Sequence, residues 1–92
     1  MDRETREIIT PIGNNKIVIN SFILGGEKAD IVSATVQEAQ ILTIKYIVVN
    51  IDGNSEGVVE KVRNMHGKDY DFIFNEIVKV MEESTWTEKK NQ

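Results

Sequence analysis

The sequence contains no cysteine, a single proline, a single tryptophan and no cluster of basic residues. Without cysteine, disulfide staples, thiol nucleophiles and cysteine-ligated zinc are all excluded. The 11 Lys and Arg are outnumbered by 15 Asp and Glu, giving a formal net charge of -4. Nucleic-acid binding requires clustered cations to meet the phosphates, so no nucleic-acid partner is expected. A long hydrophobic run is also lacking. The longest apolar stretch, residues 41–51, is interrupted by Thr43, Lys45 and Asn50 and is about half the length a membrane helix needs, so no membrane association is expected. The opening residues Met1-Asp2-Arg3-Glu4-Thr5-Arg6-Glu7 are charged and lack the apolar core of a secretory signal, which leads to the expectation of a cytoplasmic protein.

What is present is a chain of 92 residues, 40% of them hydrophobic, which fits one small globular domain. A domain of this size buries roughly 60% to 65% of its unfolded surface and has little room for both a core and a deep catalytic cavity.

Residues 7–11 and 16–24 are rich in β-branched side chains and flank Gly13-Asn14-Asn15, the composition of a hairpin turn. Pro11 ends the first arm because it cannot donate to a strand ladder. Two strands are marginal alone, so the hairpin is expected to lie on helices. Gly25-Gly26 punctuates the chain, and Glu27-Lys28-Ala29-Asp30 opens a helix with acid in its first turn. From residue 31 to 49 the pattern tolerates a helix, while residues 41–49 also have the β-branched density of a strand. The absence of Gly or Pro in this segment favours one long, largely buried helix. Asp52-Gly53-Asn54-Ser55 reads as a turn, with Ser55 or Asn54 capping a short helix whose apolar stripe is Val58, Val59 and Val62. The strongest periodicity lies in residues 69–83, where Tyr70, Ile73, Phe74, Ile77 and Met81 recur at helical spacing. The expected fold class is therefore α+β: an N-terminal β-hairpin packed on three to four helices, the central one long and apolar. Residues 1–83 form the domain and residues 84–92 a polar, disordered tail.

The motifs that invite a chemical reading do not sustain one. Asp52-Gly53-Asn54-Ser55-Glu56-Gly57 places oxygen ligands and glycine as a calcium loop does, but Arg63 stands at the twelfth position, where a bidentate carboxylate is needed. A turn is the better reading, and no metal is expected. Asp69 and Asp71 lie two apart at a helix start, where acids serve the helix dipole, and His66 is the only histidine and has no partners for a triad. No glycine pair matches a phosphate loop, so no cofactor and no catalytic residue are expected. Phe72 points almost opposite the Tyr70, Ile73 and Ile77 stripe and covers either the hairpin or a partner. With Val80 and the isolated Trp86, it makes up the set of candidate partner-binding residues.

Taken in order, Thr10-Pro11-Ile12-Gly13, Lys16-Ile17-Val18-Ile19, Leu24-Gly25-Gly26-Glu27-Lys28, the segment from Ile44 to Gly53, and Asp69-Tyr70-Asp71-Phe72 resemble the tail assembly chaperones of long-tailed bacteriophages and prophages. The resemblance covers residues 7–80 and rests on structural rather than chemical signatures. It implies a non-enzymatic protein of the bacterial cytoplasm that coats the tape measure protein, keeps its apolar helices soluble, helps recruit tail tube protein, and is absent from the finished particle. It also implies a longer product made by ribosomal frameshifting, for which Glu88-Lys89-Lys90-Asn91 permits adenine-rich codons. The alternative is a small virion component, such as a connector, retained in the particle.

Overall fold

Two β-branched runs separated by a six-residue connection pair as expected. In the computed structural model, which describes residues 3–83, β1 (Thr5–Ile9) and β2 (Lys16–Asn20) form an antiparallel hairpin with Ile8 opposite Ile17 and Arg6 opposite Ile19. Alternation buries Ile17 and Ile19 completely, while Lys16 faces solvent. Pro11 falls just past the first strand, as its missing N–H requires.

The chain then runs through α1 (Gly25–Ser33), α2 (Val36–Ile47), β3 (Val48–Ile51), α3 (Val58–Arg63) and α4 (Gly67–Glu83). β3 pairs antiparallel with β2, so the three strands lie in the order β1-β2-β3. Among the described residues, a three-stranded sheet and four helices make up an α+β domain. Its core draws Ile17 and Ile19 from β2, Ile44 and Ile47 from α2, Val62 from α3, and Ile73, Ile77 and Val80 from α4.

The single long apolar helix expected over residues 31–49 is not present. It is replaced by two helices and a strand. The first break needs neither Gly nor Pro, because Thr35 starts a new helix by itself. Its hydroxyl accepts from Glu38 N at 3.2 Å, and the Glu38 carboxylate accepts from Thr35 N at 3.2 Å. This reciprocal capping box satisfies two otherwise orphaned donors. Ala34 and Thr35 are both extended, with ψ of 164° and 165°. The second break comes at Val48, where helix gives way to strand without a loop. Asn20 Nδ2 donates to the Tyr46 carbonyl at 2.9 Å, satisfying an acceptor in the last turn of α2 from the end of β2. The register with β2 shifts between Val18 and Ile19, leaving Val49 as an extra residue on β3.

Two further expectations need correction. The cap of α3 is Gly57, at φ +63°, not Ser55 or Asn54. Asn54 instead accepts from Glu56 N at 2.9 Å and shapes the preceding turn. On α4 the buried line runs through Asp69, Ile73, Ile77 and Val80, so the core face is rotated from the expected stripe. Tyr70, Phe74 and Met81 flank that line and are half-buried.

Two ion pairs and a hydrogen bond tie the elements together at their margins. Arg3 makes a bidentate pair with Glu27 at the start of α1, at 2.8 and 2.6 Å. Arg6 of β1 reaches Glu76 of α4 at 3.2 Å. Tyr46 of α2 donates its hydroxyl to Asp30 of α1 at 2.8 Å.

Candidate interaction groove

Splitting the central segment sets the geometry of the surface. The first turn of α2 projects past the core, with Val36 80% exposed and Gln37 and Glu38 open to solvent. One turn further on, Ile41 rises out of the core edge and is 38% exposed, while Ile44, three residues later, is buried. Arg63 at the end of α3 and Tyr70 in the first turns of α4 face Ile41 and Ile44 across a groove of about 380 Å³. Tyr70 stacks on Phe74, with ring centroids 4.7 Å apart, which fixes that wall. A shallower hollow of about 340 Å³, lined by Glu38, Ile41 and Leu42, continues along α2. The groove lining is mixed, with Ile41, Ile44 and Tyr70 set among Gln37, Glu38, Gln40 and Arg63; the adjoining hollow at Ile41 and Leu42 is the apolar part.

A second hollow, about 680 Å³, lies beside Asn15, Asp52, Asn54, Glu60, Lys61 and Asn64. Asp52 and Asn54 of the Asp-Gly-Asn-Ser turn form part of its wall. The Asp52 carboxylate there is committed to the hairpin: it accepts from Asn15 Nδ2 at 2.8 Å and from Lys16 N at 2.9 Å. Those bonds, from Asn15 first and then Lys16, hold its pKa below the ordinary carboxylate value. Among the described residues, no three His, Asp or Glu side chains are grouped so as to hold a metal ion.

The acidic residues at the start of α4 have different roles. Asp71 is exposed. His66 caps the helix, its Nδ1 accepting from Lys68 N at 3.1 Å. Asp69 is 1% exposed and grips the hairpin connection, with Oδ1 accepting from Ile12 N and Oδ2 from Gly13 N, each at 2.8 Å. Burial pushes its pKa up, but the Ile12 and Gly13 N–H groups, the Thr10 hydroxyl and nearby His66 together hold it below the usual value. Glu27 is likewise lowered: burial raises it, and Arg3 with the Leu24 N–H outweighs that.

The candidate partner-binding residues do not come together. Val80 is fully enclosed and therefore belongs to the domain's own core rather than to a contact surface. Phe72 is half-buried against the core, on the side of α4 that carries Glu76, the partner of Arg6 in the hairpin. Trp86 lies outside the described residues. Ile41, the apolar side chain that lines both the groove and the adjoining hollow, falls within the segment that the sequence pattern reads as one long, largely buried helix. The signal that would have placed it near a helix start is the Thr35 to Glu38 capping box. No family model matches the chain, and neither a curated protein nor a solved structure does. No helix among the described residues is long and apolar enough to cross a membrane.

Proposed function

We propose that this protein is a non-catalytic binding protein, a phage tail assembly chaperone that takes apolar helical segments of the tape measure protein into the groove beside α2. The observation that carries this reading is the half-exposed Ile41, which lines a groove with Ile44, Tyr70, Glu38 and Arg63 and an adjoining apolar hollow with Leu42. An amphipathic helix docks in such a groove by its i, i+3 and i+4 side chains. Arg63 and Glu38 supply charges that fix the helix's direction, and the net charge of -4 keeps a coated complex soluble. Tail tube protein is the second partner in this proposal, and the bacterial cytoplasm is the compartment. Co-expression with a tape measure fragment tests the reading. The fragment should stay soluble in the presence of this chain and should remain bound at high salt, because apolar burial rather than charge carries the affinity. A fragment that aggregates equally with and without the chain would refute it.

A further inference from the structure

We infer that residues 10–16, the connection between β1 and β2 together with the first residue of β2, form a separately releasable tip that two carboxylates latch to the domain, Asp69 from α4 and Asp52 from the turn after β3, each holding its own half. The connection is tied outward by polar bonds and contributes little apolar burial. Pro11, Gly13 and Asn14 are exposed, and Ile12 is 49% exposed. Thr10 is enclosed: Thr10 N donates to Asn15 O at 3.0 Å and Asn15 N to the Thr10 hydroxyl at 2.8 Å, and the same hydroxyl meets the Asp69 carboxylate, so Thr10 belongs to the Asp69 latch. Asp69 accepts the Ile12 and Gly13 N–H groups, and Asp52 accepts Lys16 N and the Asn15 amide.

A side chain at position 13 would have to displace the Asn15 amide and crowd the Asp69 carboxylate. A Cβ at Gly13 would lie 2.6 Å from Asn15 Oδ1 and 3.2 Å from Asp69 Oδ2. The titratable groups near the two latches are His66 beside Asp69, and Lys61 and Lys16 beside Asp52. Opening either latch removes hydrogen bonds to an ionised acceptor while Ile17, Ile19, Ile73 and Ile77 stay packed, so it is a local event well below global unfolding. The latch fixes where the exposed Ile9 and Ile12 are presented. It stays shut at neutral pH and yields only in acid, because both carboxylates are held below their ordinary range.

Amide hydrogen exchange on the full chain at neutral pH tests this. In Asp69→Asn, exchange at Ile12 and Gly13 should rise about tenfold or more, as expected on losing hydrogen bonds to a charged acceptor, while Lys16 and the amides of residues 73–77 hold their rates. Asp52→Asn should raise exchange at Lys16 and leave Ile12 and Gly13 protected. A rise shared by the tip and the core, or no rise in either variant, would overturn the inference. If Asp69→Asn does not fold, acid titration of the unaltered protein decides. Ile12 and Gly13 should lose protection at a pH where Ile17 and Ile19 keep theirs, and simultaneous loss would overturn the inference.

Discussion

Two valines two positions apart on α4 test how that helix is rotated against the core. Val80 is 0% exposed and Val78 is 50% exposed. Each change to Ala removes the same two methyl groups from the same helix and gains the same improvement in helix propensity, roughly 0.5 kcal/mol. The difference between the two variants therefore isolates burial. For Val80→Ala, withdrawing two buried methyl groups costs about 1.6 kcal/mol of transfer free energy. The void they leave adds roughly 1 kcal/mol, and propensity offsets part of this, leaving a net loss of about 2 kcal/mol. In a domain of this size that lowers Tm by roughly 8 to 16 °C. Val78→Ala should be neutral or slightly stabilising. Urea melts followed by far-ultraviolet circular dichroism read both, with unchanged m values confirming two-state comparison. Equal midpoints for the two variants, or a larger loss in Val78→Ala, would refute the placement of Val80 in the core.

Thr35→Ala should cost about 1 kcal/mol by removing the cap of α2; an unchanged urea midpoint would mean that the break at Ala34 does not depend on it. Stability should be flat between about pH 5 and 7 and fall below the ordinary carboxylate value of about 4. Asp52, Asp69 and Glu27 are all lowered in the folded state, so the stability they contribute is present above the unfolded value and is lost as pH drops through the folded one. Urea midpoints across that range should show the loss only on the acid side. Millimolar calcium should leave Tm unchanged, because a ligand of the native state must raise it and the Asp52 carboxylate is already bonded to Asn15 and Lys16; a rise of several degrees would reopen the calcium reading.

The hairpin and α4 were legible because their signals are local: β-branched runs around Gly13-Asn14-Asn15, and a helical period sustained from Tyr70 to Met81. The rotation of α4 is hidden in the sequence because Asp69, a charged residue, occupies the buried line. Its partners are backbone N–H groups of Ile12 and Gly13, which leave no mark in a side-chain pattern. The end of α2 at Ile47 was hidden for a different reason. Residues 44–51 are apolar and β-branched enough for either state, and the choice falls to pairing with β2, more than 25 residues earlier in the chain. The break at Thr35 was readable, since Thr35-Val36-Gln37-Glu38 carries the capping box in its sequence. The groove depends on that break, because on an unbroken helix over residues 31–49 Ile41 falls among buried neighbours.

The most direct test of the binding proposal is the map of amide shifts in this protein when an amphipathic, apolar tape measure helix is titrated in. The perturbed amides should cluster at Glu38, Ile41, Leu42, Arg63 and Tyr70, and Ile41→Asp, at a position 38% exposed, should abolish the shifts while leaving the fold intact. Shifts confined to the outer face of the sheet, or binding undiminished in Ile41→Asp, would contradict it.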